Sequence, residues 1–246
     1  MLRRATRNRA IQALGLALLF VAQAALARPE AGSTADFERS YNPRGPARLT
    51  ISNVNGAIRV SAWEKNSILV RAATRKPSII EDRVMGGDVL VSIRASLRTP
   101  RVEFEVRAPS GTSLSLKNVM GDIDVTGMQG HVSILSFDGD VKLSDVSSQS
   151  LEVKITSGDI DFDGELHPGG SYNLQTVNGD IDVTLPRNNP FNLNARALTD
   201  KINLGAFGSE LSGGSRSSRG YSGTHLRGGP RLTLTTYNGR ILMHKR

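Results

Sequence analysis

One glycine-centred pattern recurs in fixed register along this chain, and it restricts the fold more than any other feature of the sequence. With Gly121 as zero, Ile123 and Val125 stand at +2 and +4, and Leu116 and Leu114 at −5 and −7. Around Gly139 the same positions hold Val141, Leu143, Ile134 and Val132, and around Gly158 they hold Ile160, Phe162, Val153 and Leu151. Gly179, Gly56 and Gly239 also match at all four. A seventh, degenerate unit centres on Asp200, with Ile202, Leu204, Ala195 and Leu193. Met85-Gly86-Gly87-Asp88 is excluded, because Asp82 falls at −5.

Each unit therefore reads as two short strands of period two joined by a turn. The glycine supplies a backbone conformation with φ above zero that a side chain resists. Asn55, Asp138, Ser157, Asn178 and Asn238 precede it, and these residues suit a turn. Successive glycines from Gly121 lie 18, 19 and 21 residues apart, so a second turn closes each period of about 20 residues.

Two all-β architectures fit. Asn-Gly between strands is also a hairpin signal, which would give an antiparallel β-sandwich or barrel. Alternatively each period stacks on the last as one coil of a single parallel β-solenoid, with the +2, +4, −5 and −7 side chains in one buried column. Constant register favours the solenoid, because stacking brings equivalent positions together. An aromatic content of 5% suits an aliphatic column. Eight or nine coils at about 4.8 Å each would make a rod of about 40 Å. Right-handed winding is expected by analogy with common parallel β-helices.

Residues 1–27 read as a signal peptide. Arg3, Arg4, Arg7 and Arg9 form a basic n-region, Ala13 to Ala22 an apolar run, and Ala25-Leu26-Ala27 a cleavage site before Arg28. Ala22-Gln23-Ala24 offers a second cut. The run is short for a span of about 20 residues. With no cysteine, the N-terminus is not that of a lipoprotein, and disulfides, thiolate metal sites and cysteine nucleophiles are excluded. The leader holds four of the 31 basic residues and no acid, so its removal lowers the formal charge from +8 to +4. That charge and the export signal argue against a nucleic-acid partner. No later stretch is apolar enough to form a transmembrane segment. A periplasmic or secreted protein is expected.

Residues 28–46 are polar, with Gly and Pro, and read as a linker or N-terminal cap. Residues 47–246 form the β-repeat domain. Within it Val89-Val91-Ile93 and Val102-Phe104-Val106 read as further strands, and 212–229, rich in Gly, Ser and Arg, as a flexible loop.

Recognisable chemistry is sparse. His131, His167, His225 and His244 lack metal-motif spacing and read as turn or surface residues. No nucleophile elbow, phosphate loop or dinucleotide fingerprint occurs. No catalytic, metal or cofactor residue is assigned, and no cofactor is expected.

Acids do recur. Asp122 and Asp124, Asp140, Asp159 and Asp161, and Asp180 and Asp182 stand at +1 or +3, outward if +2 and +4 point inward. Such rows could bind a hard cation such as calcium, or serve a glycosidase with a carboxylate pair. They could also cap turn backbone, with Lys142 interrupting the +3 row. Regular repetition favours capping over one special pair. Basic residues group at Arg71, Arg75, Lys76, Arg83, Arg94, Arg98, Arg101 and Arg107, and again at Arg216, Arg219, Arg227 and Arg231. An anionic envelope polymer is one partner these would suit.

The stretches "ISNVNGAIRVSAWEKNSILV", "APSGTSLSLKNVMGDIDVTGMQGHVSILSFDGDV", "ITSGDIDF", "TVNGDIDVTLP" and "LTTYNGRI" resemble the bacterial putative-adhesin family, a β-strand-repeat domain of unknown function, from about Ala47 to the C-terminus. The resemblance implies a β-helix-like domain at the cell envelope and carries over no catalytic residue. The missing glycine at Asp200 and the segment 212–229 depart from the pattern. The expected protein is a non-enzymatic, exported binding or scaffolding solenoid of unknown ligand. The alternatives are a structural protein that self-associates end to end and a polysaccharide-acting β-helix enzyme.

Overall fold

The computed structural model describes residues 37–74, 80–94, 101–198, 202–217 and 219–246. The expected leader and residues 28–36 lie outside these, as does the turn at Asp200. In chain order the strands are β1 (Phe37–Tyr41), β2 (Arg48–Ser52), β3 (Ile58–Trp63), β4 (Ile68–Thr74), β5 (Ile80–Met85), β6 (Asp88–Ile93) and β7 (Val102–Pro109). Next come β8 (Ser113–Met120), β9 (Ile123–Thr126), β10 (Val132–Asp138), β11 (Val141–Val146), β12 (Ser150–Ser157), β13 (Ile160–Gly164), β14 (Ser171–Asn178) and β15 (Ile181–Leu185). The C-terminal part holds β16 (Phe191–Ala197), β17 (Ile202–Asn203), β18 (Ser212–Ser217), β19 (Gly220–His225), β20 (Arg231–Asn238) and β21 (Ile241–Lys245). One 3-10 turn, Gly205–Ser209, follows β17.

Each glycine unit places its −7 and −5 residues on a strand of one sheet and its +2 and +4 residues on a strand of the other. The first sheet runs β18-β19-β16-β20-β14-β12-β10-β8-β2-β6-β5 and the second β1-β4-β7-β3-β9-β11-β13-β15-β21-β17. Pairing in the body is parallel and joins like positions. Val132 stands opposite Leu114 and Leu151, and Val141 opposite Ile123 and Ile160. All four apolar positions of all six glycine units are buried in one continuous core. This is the parallel β-solenoid, with no closed barrel. The sandwich and barrel alternatives fail because a hairpin at the glycine would pair the two strands it joins, and these lie in different sheets.

Two features differ from simple stacking of each period on the last. The β2–β3 coil sits between β6–β7 and β8–β9, and the β20–β21 coil sits between β14–β15 and β16–β17. At both ends, then, the terminal coil of the chain is the second in the stack. The β6–β7 coil also lies outside the glycine pattern. Val89 and Val91 pair with Leu49 and Ile51, and Phe104 and Val106 with Ile58 and Val60.

A buried column at −3 accompanies the aliphatic ones, holding Asn53, Asn118, Ser136, Ile155, Thr176 and Thr236. Its asparagines and threonines bind turn carbonyls, while the Ser136 hydroxyl is buried with no partner among the described residues. Asn118 Nδ2 donates to Gly56 O at 2.9 Å and Gly121 O at 2.8 Å. Thr176 Oγ1 donates to Gly158 O, and Thr236 Oγ1 to Gly179 O. Buried carbonyls that a turn leaves unpaired are thereby satisfied.

Antiparallel strands close three of the four sheet edges, and the two-residue parallel strand β17 ends the second sheet. On the second sheet β4 covers β7 and β1 covers β4. Phe37–Tyr41, within the segment read as linker or cap, is that outer strand. Tyr41 is buried and its hydroxyl donates to Asp82 Oδ2 at 3.0 Å; burial first, then Asp82, pushes the phenol pKa well up. On the first sheet β5 covers β6, and β19 and β18 extend from β16. Residues 212–229, read from composition as a flexible loop, therefore carry the β18–β19 hairpin. Their small side chains let strands pair closely: a Cβ on Gly214 would lie 1.9 Å from Ser222 O. The outermost strands are poor templates for further pairing, since β5 carries Glu81, Asp82 and Arg83 and β18 is Gly- and Ser-rich.

Candidate functional site

The +1 aspartates form a ladder of backbone caps. Asp122 Oδ1 accepts from Asp140 N at 3.1 Å, and Asp140 Oδ1 from Asp159 N at 2.9 Å. Asp159 Oδ1 accepts from Asp180 N at 2.7 Å, and Asp180 Oδ1 from Arg240 N at 2.7 Å. Each carboxylate thus satisfies the turn N–H of the next coil, a charge-assisted bond. The Arg240 guanidinium ends the ladder on Asp180 Oδ2, which raises its own pKa. Asp159→Ala is expected to cost about 1 kcal/mol and lower Tm by about 2–4 °C. Asp159→Asn, which keeps an acceptor, should lose less than half of that in the same thermal melt.

The +3 row is mixed. Arg59 Nε lies 3.4 Å from Asp124 Oδ2. Lys142 pairs in register with Asp124 and Asp161, and Asp161 with Asp182. Burial raises the pKa of Asp161; Asp182 and Asp159 add to this and Lys142 opposes it. His244 Nε2 sits 3.3 Å from Asp182 Oδ2. Among the described residues no group of three or more His, Asp or Glu could hold a metal ion.

The histidines divide. His131 is exposed, and His167 Nδ1 sits 2.9 Å from Pro168 O. His225, expected at a turn or surface, is fully buried between Phe191 and Phe207. Its ring nitrogens face Asn189 O at 2.8 Å and Glu210 Oε2 at 3.0 Å. Lys245 reaches Glu210 at 2.5 Å and lies 4.6 Å from the Phe207 ring centroid. Bonds from Lys245 and then His225 hold the Glu210 carboxyl below its ordinary range. This cluster binds β19, β21 and the 3-10 turn together at one end of the solenoid.

The N-terminal basic group is largely paired. Arg71 meets Glu38, Arg94 meets Glu81, Arg101 meets Glu103 and Arg107 meets Glu105. Arg75, Lys76 and Arg98 lie outside the described residues. Arg216, Arg219, Arg227 and Arg231 have no ion pair among the described residues, and Arg216 lies 6.0 Å from the Tyr221 ring centroid.

An open polar groove runs beside the Trp-Glu-Lys-Asn segment, lined by Trp63, Lys65, Asn66, Gln129 and Asp145. Trp63 Nε1 donates to Ser67 O at 2.7 Å, and Lys65 Nζ sits 5.2 Å from the ring centroid. A bulge in β11 places Asp145 at φ 54°. The surfaces offered are extended and repeated rather than enclosed.

The model of the Toastrack DUF4097 family matches residues 41–242. This chain belongs to that family. No curated protein matches it. Among solved structures, the Toastrack chain is similar to a putative cell adhesion protein from Clostridium sporogenes ATCC 15579, at 14% identity and a TM-score of 0.52, over 85% of this chain and 99% of that one. It is also matched with a putative adhesin from Bacteroides fragilis NCTC 9343, at 10% identity and a TM-score of 0.34, over 85% of this chain and 96% of that one. At these identities the first likeness speaks to the fold. Among the described residues of this Toastrack domain, no helix is long and apolar enough to cross a membrane.

Proposed function

We propose that this Toastrack domain is an exported, non-enzymatic module that binds or scaffolds at the bacterial cell envelope through its repeated solenoid faces. The observation that carries this is the ladder at +1. The most regular acidic row in the chain is committed to the backbone of neighbouring coils, which leaves it unlike an acid and base poised at a cleft. The name of the first structural relative, a putative cell adhesion protein, supports the same reading. So does the rod itself, since a solenoid presents an extended surface. Antiparallel outer strands with charged or Gly-rich edges disfavour end-to-end growth.

The test is co-sedimentation of the chain from Arg28 onward with isolated envelope fractions at low and high salt. Binding to one fraction is expected. Loss of that binding at high salt would show that exposed basic side chains carry it against an anionic envelope component. No binding to any fraction would overturn the proposal.

A further inference from the structure

The outer faces of the two sheets are unlike. Alternation should make both polar. The second sheet obeys, presenting Asp124, Asp161, Asp163 and Asp182 outward. The first sheet does not. At −2, Val119 is 43% exposed, Phe137 60%, Tyr237 42% and Leu198 46%. Val177 continues this row between Phe137 and Tyr237, Thr156 being its one polar member over these coils. Pairing at −3 and −1 fixes the alignment: Ser136 faces Asn118, Asp138 faces Met120, Asn178 faces Ser157 and Asn238. Leu198 N donates to Thr236 O, which brings the β16 coil into line. Six consecutive coils give a straight row of about 24 Å. Leu135, 53% exposed, and Met120, 47% exposed, widen it at Phe137. Exposed apolar side chains scattered singly need no explanation, but a contiguous row does.

The charges beside this row are basic. At −4, Leu135 stands between Lys117 and Lys154 in register. Arg196 occupies the same position on β16. Lys154 is shared with Glu152, while Lys117 and Arg196 have no ion pair among the described residues. The acids on this side are Glu152, held by Lys154, and Asp138, next to Phe137.

We infer that the outer face of the first sheet is a docking surface for an anionic phospholipid bilayer, with the Leu135–Phe137 ridge entering the headgroup region and Lys117 and Arg196 lying against lipid phosphates. This rests on the envelope reading and names the partner of one solenoid face. Three observations choose a bilayer. The row is straight and several headgroups long, which suits a planar partner. Aromatic and aliphatic side chains beside lysine and arginine are the composition of an interfacial contact. On the opposite sheet Arg59, His244 and Arg246 each meet a carboxylate, so that face offers an anionic surface less free positive charge.

The experiment is flotation of the chain from Arg28 onward, which contains the whole compact unit Thr34–Arg246. The vesicles are phosphatidylcholine alone, or phosphatidylcholine and phosphatidylglycerol in equal parts. Co-flotation with the anionic vesicles only is expected. The double variant Leu135→Ser, Phe137→Ser should reduce it about tenfold, and Lys117→Glu by about threefold. Both sites are exposed, so an unchanged thermal melt will show that the variants fold. Asp124→Asn with Asp182→Asn, on the other sheet, should not reduce binding. Absence of flotation, or equal flotation of the double variant, would overturn the inference. So would a dimer in sedimentation velocity that the double variant abolishes, since a second copy would then own the row. Envelope binding that survives lipid extraction, without flotation, would remove this inference and leave the envelope reading standing.

Discussion

Gly158→Ala is expected to destabilise the domain by about 3 kcal/mol or more. Two penalties coincide there. Gly158 has φ 129°, a conformation that costs a residue with a Cβ about 1–2 kcal/mol. A Cβ would also lie 2.3 Å from Gly139 O and 2.7 Å from Gly139 C. That neighbour is backbone of the adjacent coil and cannot rotate away. Its turn is fixed by Gly139 N donating to Ser157 O at 3.0 Å and by Asp140 Oδ1 accepting from Asp159 N at 2.9 Å. Overpacking of this kind typically costs about 1–3 kcal/mol. Gly169→Ala is the control. Gly169 has φ 75° but nothing within 4 Å of an added Cβ, so it should lose only the dihedral part, about 1 kcal/mol. Urea unfolding measures both, with the midpoint falling at constant m. Equal losses at the two sites would sink the stacking argument.

That contrast shows what the repeat did and did not reveal. Period two around each glycine was enough to place the core, because a one-residue slip would expose a whole column. The glycine was legible as a turn residue, yet Gly239 has no positive φ and a Cβ there would lie 1.9 Å from Gly179 O. Close approach between coils is thus a second reason for glycine, and a pairwise distance is not written in a linear sequence. Coil order was hidden for a related reason. Leu49 and Ile51, or Leu232 and Leu234, fit against any aliphatic neighbour, so register names the column and not the partner. The β6–β7 coil escaped because the glycine signal is absent between Ile93 and Val102. The −3 column was readable by continuing the alternation inward from −7 and −5. Asn53 and Asn118 are polar, however, and polarity points outward until their carbonyl partners are known. The apolar row at −2 was equally present in the sequence. Its meaning depends on sheet pairing, which sets Val119, Phe137 and Tyr237 in line. His225 misled in the opposite direction, since a lone histidine in a Gly-rich segment gives no sign of Phe191, Phe207 and Glu210 closing around it.

Tyr172 is where the aliphatic column admits a large ring, and its two variants separate packing from hydrogen bonding. Leu151 and Leu232 flank it in register at −7. The ring is fully buried and packs edge-on to Phe162, with centroids 5.9 Å apart. Its hydroxyl accepts from His167 N at 2.6 Å and donates to Ser148 O. Burial raises the phenol pKa, so the group stays a neutral donor and acceptor. Tyr172→Ala is expected to cost about 4 kcal/mol, as for other buried aromatics. Tyr172→Phe keeps the ring and strands a buried amide and carbonyl, at about 1–2 kcal/mol. Gly170 leaves the ring its space, since a Cβ there would lie 2.8 Å from Tyr172 Cε2. The tyrosine thus ties the second turn of its coil, through His167, to the preceding coil, through Ser148. Urea midpoints for the two variants decide the balance. If Tyr172→Phe costs as much as Tyr172→Ala, the hydroxyl tie dominates and the ring is only its carrier. If Tyr172→Phe is silent, the turn holds without it and the aromatic packing alone sets the stability of this coil.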